Sequence, residues 1–351
     1  MSKPKVIMAD IHCHNWSAFS SVNVAGVNTR LQIILDEIRR GAETVLGEGG
    51  DTLILAGDVF HVRGSIAPSV LNPVMDLLRH YIAKRGLKVI IIPGNHDLEG
   101  KGSDRVGSAV TSLESIGCHI ANAPHIIDDT LLMPWIEDIS ELKKELTFWA
   151  KEYEMERKRM DMVIHAPIDG VITGLPNHGL TAEWLGDLGF RRVFAGHYHN
   201  HKDFGNGVYS IGAIAHHTWS DPGSKAGFLS VTDEEVKWMK SHAPEFVDID
   251  ASMEPEEIAL LADQNYVRAK IDKTKPAEVE ELRKWLMSCG AKGVIINTVR
   301  TPTHSRSTST VKAGASIETS INEFIEKSEL VDAKYKTAVA RKAVEILSMI
   351  D

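Results

Sequence analysis

The chain has 351 residues, 43% apolar and 25% charged, with a formal net charge of −9, which at ~100–200 residues per domain makes it two or three globular domains. The acidic balance argues against a broad basic face for nucleic acid. Apolar runs such as Val89–Ile92, Leu53–Ala56 and Val294–Ile296 are strand-sized and fall far short of the ~20 residues of a membrane span.

In chain order, the first half alternates short β-type runs with helical patterns, the signature of an α/β domain. Val6–Ala9 precedes a helix whose apolar residues Leu31, Ile34, Leu35, Ile38, Ala42, Val45 and Leu46 recur at helical spacing. Thr52–Ala56 is the second strand, and Asn72-Pro73 reads as an N-cap and first-position proline opening the next helix. Val89–Ile92 is the third strand, and Ser103–Ile116 reads as helical. A charged helix over about Ser140–Arg159 precedes strands at Met162–Ile164, Arg192–Ala195, Val208–Ile211 and Phe228–Val231.

The texture changes near residue 250. Asp248–Glu257, acidic and carrying Pro255, reads as a connection between domains. Tyr266–Ile271, Pro276–Met287 and Gly293–Val299 then read as strand, helix, strand. Thr301–Ala315 is rich in Ser and Thr and suits a flexible linker. Two amphipathic helices end the chain. Ile317, Ile321, Phe324 and Ile325 form one stripe; Tyr335, Val339, Ala343, Ile346, Leu347 and Ile350 form the other.

Chemistry collects after the strands. Asp10 and His12 follow the first, Asp58 and His61 the second, and Asn95, His96 and Asp97 the third; His165 ends a later one, and His197 and His199 follow the next. Of 16 histidines, 14 lie at or before residue 217. In an α/β sheet the carboxyl ends of neighbouring strands share an edge, so these groups converge in one crevice. Imidazole and carboxylate suit borderline divalent ions, and so many ligands suit two ions sharing a carboxylate. Cys13, Cys118 and Cys289 are odd in number and scattered, which excludes a disulfide framework and a Cys-based metal clip and suits a reducing cytoplasm. Met1-Ser-Lys-Pro-Lys5 leads into only four apolar residues, so no secretory signal is expected.

His12-Cys-His14 is also the HxH that opens TIM-barrel metallohydrolases of the amidohydrolase and PHP kinds, and Gly57-Asp58 alone could be turn chemistry. DxH, GDxxH, GNHD, a lone His and GHxH in this order resemble instead the calcineurin-like metallophosphoesterases, over about residues 5–235. The resemblance implies a four-layer α-β-β-α sandwich. It assigns one metal to Asp10, His12, Asp58 and His199, and a second to Asp58, Asn95, His165 and His197, with Asp58 bridging. It also implies that a metal-bridging hydroxide attacks phosphorus, with His96 as the partner for the phosphoryl or leaving group and Asp97 orienting it.

His61, the βαβ unit and the paired tail helices narrow the resemblance to the SbcD-type nuclease subunit of double-strand-break repair, closest in length to phage-encoded recombination nucleases. On that basis residues 1–247 form the metallophosphoesterase domain, 262–300 a DNA-capping domain, 301–315 a linker and 316–351 a partner-binding segment. The implied activity is DNA exo- or endonuclease, with two divalent ions, manganese first and magnesium, iron or zinc as alternatives. The implied partners are DNA, a second copy through the nuclease domain, and an SbcC-type coiled-coil ABC ATPase docked on the tail helices. No membrane is expected, and the location is the cytoplasm, a host's if phage-encoded. The alternative function is a stand-alone phosphodiesterase or phosphatase for a small molecule such as a cyclic nucleotide. Roles for His14, His201, His216 and His217 stay open between satisfied histidines and substrate contact. Lys84-Arg85, Arg157–Arg159 and Arg191-Arg192 are short basic clusters that solvated helix ends explain as well as DNA does. His304 and Arg306 in the linker could touch phosphate.

Overall fold

The structure, a computed structural model of the chain, describes residues 3–100, 106–250, 252–272, 276–299, 317–328 and 331–347. The amino-terminal part runs β1 (Lys5–Met8), α1 (Thr29–Gly47), β2 (Thr52–Ala56), α2 (Pro68–Arg85), β3 (Lys88–Ile92) and β4 (His119–Ile120). There follow β5 (His125–Ile127), β6 (Thr130–Met133), α3 (Ile139–Glu152), β7 (Asp161–His165), α4 (Ala182–Asp187), β8 (Arg192–Gly196), β9 (Lys202–Asp203) and β10 (Val208–Ser210). The chain then returns through β11 (Gly227–Val231) and β12 (Val236–Lys240).

Two six-stranded sheets result, ordered β12-β11-β1-β2-β3-β4 and β5-β6-β7-β8-β10-β9. Within them β1 to β4 are parallel, as are β6, β7, β8 and β10. The period of two along each strand sorts side chains into layers. Val6 and Met8, Leu53 and Leu55, and Val89 and Ile91 face α1 and α2, where Leu31, Ile34, Val74 and Leu78 meet them. The alternate residues Ile7, Ile54 and Ile90 turn the other way and pack with Leu132, Val163 and Phe194 of the second sheet. Met162, Ile164 and Val193 face α3 and α4, against Leu142, Leu146 and Leu185. The order is helix, sheet, sheet, helix. Strands buried on both faces explain the unbroken apolar runs in the sequence, and each fully buried Leu, Ile or Val contributes ~1.5–3 kcal/mol.

Several expectations are corrected. The second helix opens at Pro68, with Pro73 inside it rather than at its start; a proline two turns in costs one backbone hydrogen bond. The charged helix stops at Glu152, and Arg157–Arg159 is a separate 3-10 turn. Ser103–Ile116 narrows to a 3-10 helix at Ala109–Ile116, with residues 101–105 outside the described residues. Arg191 and Arg192 are no DNA patch: both guanidinium groups are committed to Asp161.

The acidic stretch near residue 250 is ordered structure. β13 (Phe246–Asp250) pairs in parallel with β14 (Tyr266–Asp272), and α5 (Pro255–Ala262) joins them with Pro255 at its first turn. With α6 (Pro276–Ser288) and β15 (Gly293–Val299) they form a three-stranded layer around Val247, Ile249, Val267, Ala269 and Leu286. By contacts this layer belongs to one compact unit with the two large sheets, which spans residues 1–270 and 275–297. The second unit holds α7 (Ile317–Lys327) and α8 (Lys336–Leu347), packed on each other. In this pair Ile325 is buried, while Phe324, Tyr335 and Ile346 are at least half exposed. The linker expected at 301–315, with His304 and Arg306, lies outside the described residues, as does Ile350. No helix among the described residues is long and apolar enough to cross a membrane.

Candidate metal centre

Because β1, β2 and β3 run parallel, and β7 and β8 do too, the residues following them collect along one edge of the sandwich. The chain must turn sharply to deliver them. Asp10, His12 and Asp58 hold φ near +50° and His197 holds +117°, conformations that cost a non-glycine residue ~1–3 kcal/mol and concentrate at functional sites. Two glycines permit the close packing. A Cβ on Gly57 would lie 2.1 Å from His165 Nδ1, and one on Gly94 2.2 Å from Asp58 Oδ1.

Among the described residues, two groups of ligand atoms form around the predicted ligands, beside a third cluster of His12, His61 and His96. In the first, His12 Nε2 lies 3.2 Å from His199 Nε2 and 3.7 Å from Asp58 Oδ2, and Asp10 contributes a carboxylate. In the second, Asn95 Oδ1 lies 3.2 Å from His165 Nε2 and 3.1 Å from His197 Nδ1. Asp58 Oδ2 is 3.6 Å from His165 Nε2, so this one oxygen stands nearly midway between the two groups. The structure thus brings together Asp10, His12, Asp58, Asn95, His165, His197 and His199.

Outer partners fix the rings. His165 Nδ1 donates to the Ala56 carbonyl (2.8 Å) and His199 Nδ1 to Asp221 Oδ1 (2.8 Å), so each presents Nε2 inward. Trp135 stacks on His197 at 5.0 Å. Burial pushes the Asp10 carboxyl up against the pull of His165 and His199. Burial works the same way on Asp58, but His165 and His12 outweigh it and hold that carboxyl well below the usual range. Burial drives His12 well down and His197 to about 3. For His165 burial is overcome by Asp58 and Asp10, which raise it to about 9. A positive charge is favoured where His165, Asp58 and Asn95 meet.

His61 and His96 flank this centre, half-buried and stacked at 5.4 Å. His96 Nδ1 donates to the His61 carbonyl (2.7 Å), and its backbone N–H donates to Asp58 Oδ1 (2.8 Å). The expectation that Asp97 orients His96 is corrected. The fully buried Asp97 carboxylate instead accepts from the backbone N–H groups of Val59, Phe60 and Gly94, tying the loops after β2 and β3 together. Burial lifts it to about 7. Ring contacts place His61 4.5 Å from Trp16 and 5.2 Å from His14. His201 Nδ1 donates to the Ser210 carbonyl and its ring stacks on Trp238, which makes it a satisfied structural residue.

Sequence reasoning missed Asp221 and Trp135, and left His216 and His217 undecided. Trp135 stands two residues past β6 but is no metal-ligating residue type, Asp221 lies in a turn away from the motifs, and only the adjacency of His216 and His217 gave any signal.

The donor set fits two divalent cations. Asp10 Oδ1 is buried with no hydrogen-bond partner, a costly state for a carboxylate oxygen that a cation relieves. His12 and His199 aim Nε2 at Nε2, also an arrangement for a shared cation. When bound, such ions lower the pKa of a shared water and clamp the attacked phosphoryl group.

Among solved structures, the chain is similar to a dimetal phosphatase from Danio rerio (11% identity, 65% of this chain and 91% of that one, TM-score 0.42). It is similar to a phosphopantetheinyl hydrolase from Mycobacterium tuberculosis (16%, 60% and 90%, TM-score 0.35). It is also similar to the nuclease MPE of Pseudomonas putida (18%, 64% and 84%, TM-score 0.29). No curated protein matches it. The family model of the calcineurin-like phosphoesterases matches residues 4–201, more than half of the chain, and takes in the whole ligand set from Asp10 to His199: the chain belongs to the calcineurin-like phosphoesterase family.

Proposed function

We propose that this phosphoesterase is a DNA nuclease, the hydrolytic subunit of an SbcCD-like recombination or repair complex. The supporting observation is the His61–His96 pair, stacked beside the ligand groups and locked to them through the His61 carbonyl and Asp58. Hydrolysis of a phosphodiester expels an alkoxide, so a proton donor beside the ions assists the departing oxygen. With Nδ1–H committed to the His61 carbonyl, Nε2 of His96 is the free ring nitrogen, and in the imidazolium form of the ring it would give its proton to the departing oxygen and leave the neutral ring behind. His61, with Nδ1 3.3 Å from His12 Nδ1, places its ring where the diester must pass. The tail helices α7 and α8, with Phe324, Tyr335 and Ile346 half exposed, supply the apolar face for a coiled-coil ATPase partner.

The test is incubation with linear duplex and single-stranded DNA in Mn²⁺, with and without the ATPase. Cleavage that disappears in His61→Ala supports the reading; no cleavage in any combination, with two bound ions confirmed, overturns it. A second reading has its own observation. A pocket of about 480 Å³, lined by Val171, Thr173, Tyr198, Asn200 and Ser224, opens beside His197 and His199, room for one nucleotide-sized group. Rapid turnover of a cyclic nucleotide with indifference to DNA, unchanged by truncation before Ser316, selects this small-molecule phosphodiesterase instead.

A further inference from the structure

The turn that carries His216 and His217 touches the first ligand group from behind and the three-stranded layer from in front. Buried His217 donates through Nε2 to the Asp10 carbonyl (3.0 Å). Its backbone N–H donates to Asp221 Oδ2 (2.7 Å), whose other oxygen holds His199 Nδ1 (2.8 Å). One residue therefore braces two separate members of the Asp10, His12, His199 group.

The same turn is gripped from the other side. Arg30, near the start of α1 and only 5% exposed, donates from Nη2 to the His217 carbonyl (2.7 Å). Its guanidinium lies 5.1 Å from the Trp16 ring centre, 5.0 Å from that of Phe246 and 5.5 Å from that of Tyr266. Phe246 opens β13 and Tyr266 opens β14. Phe246 also donates its backbone N–H to His216 Nδ1 (3.0 Å), while His216 Nε2 donates to the Ser224 carbonyl (3.0 Å). Trp16 stacks on His217 at 5.6 Å and 16°. A cation enclosed by ring faces and carbonyls is a rigid coupling.

We propose that Arg30 and His217 are positioning residues, through which the seating of β13 and β14 sets the geometry of the ligand group formed by Asp10, His12 and His199. The inference rests on the dinuclear reading of the centre and is independent of whether the substrate is DNA. Partners one step removed from the ligands characteristically set their orientation. Here that role extends to a layer that supplies no ligand itself.

The experiment is a calorimetric titration of the full, chelator-stripped chain with Mn²⁺, beside its metal-free melting curve. In His217→Ala and Arg30→Met one of the two ions should weaken by about 10–100-fold while the other holds, with the metal-free melting temperature little changed. His217→Gln, whose amide nitrogen can reach the Asp10 carbonyl, should restore the lost affinity. Wild-type binding of both ions in both variants overturns the proposal. So does a His217→Gln chain as weak as His217→Ala, or equal loss of both ions with a collapsed metal-free melting curve. A wild-type chain that binds no Mn²⁺ at all removes the dinuclear reading beneath it, whereas failure to cut DNA leaves the proposal standing.

Discussion

The two ends of the sandwich treat buried charge in opposite ways. At the amino end of β7, Asp161 is fully buried and saturated: Lys5 Nζ lies 2.7 Å away, Arg191 Nε 2.9 Å and Arg192 Nε 3.0 Å. At the other end of the same five-residue strand, His165 is equally buried among Asp58, Asn95 and Asp10. β1 repeats the contrast, with Lys5 at its start and Asp10 past its end, as β8 does with Arg192 and His197. One end closes its electrostatics with the chain's own cations. The other leaves an orphaned carboxylate oxygen and opposed imidazole nitrogens, which is what a centre built for ions from outside requires.

Breaking the open end should cost function, and breaking the closed end should cost stability. The largest effect belongs to Asp58→Asn, which should abolish turnover of a chromogenic phosphodiester and deplete both ions by elemental analysis; retained turnover would dissolve the contrast. His96→Ala should slow the same reaction by about 10²–10⁴-fold, the range for a lost general acid, with the ion content intact. Asp161→Ala strands the buried cations of Lys5 and Arg192 and should lower the metal-free unfolding free energy by about 3–5 kcal/mol in urea titration, while the folded fraction keeps its ions. Saturation with Mn²⁺ at about a hundred times its dissociation constant should raise stability by about 2.7 kcal/mol per bound ion, equally in the wild type and in Asp161→Ala.

The smallest effect is the acid limb. Burial pushes the Asp161 carboxyl up, but Lys5, Arg191 and Arg192 outweigh it and bring it from 3.8 to about 2. A depressed carboxyl contributes stability above its unfolded value and loses it as pH falls through the folded one. Between pH 4 and 2 the metal-free wild type should therefore lose on the order of 2 kcal/mol more than Asp161→Asn, read from urea midpoints at the two pH values. Parallel losses would show that Asp161 is not the titrating group.

The strands and the gathering of the candidate ligands along one edge were legible because they are local. A buried apolar run followed within a few residues by Asp10, Asp58 or Asn95 states both the strand and the edge it ends on. Where one signal serves two purposes, the reading failed. Pro255 with Glu256 and Glu257 suits a linker, yet proline at the first turn followed by acidic residues also starts a helix, as it does here. Asn72-Pro73 carried the same ambiguity in reverse. The role of Asp97 was misjudged because adjacency to His96 suggested contact, whereas the backbone turns it toward Val59 and Phe60. Arg30 reaches His217 from 187 residues away, Trp135 meets His197 across two strands, and Asp221 meets His199 from a separate turn; no period or spacing announces such contacts.

The candidate ligands also divide by origin. Asp10, His12, Asp58 and Asn95 follow strands of the first sheet, and His165, His197 and His199 belong to the second. Each ligand group draws on both, so neither sheet can hold an ion alone. An ion seated in either group is a cross-link between the two halves of the fold, placed at the rim where apolar packing gives out. Separating the sheets then requires breaking coordination first, so metal should slow unfolding more than it shifts the equilibrium among partly open states. The chemistry of the centre and the lifetime of the folded chain are held by the same bonds.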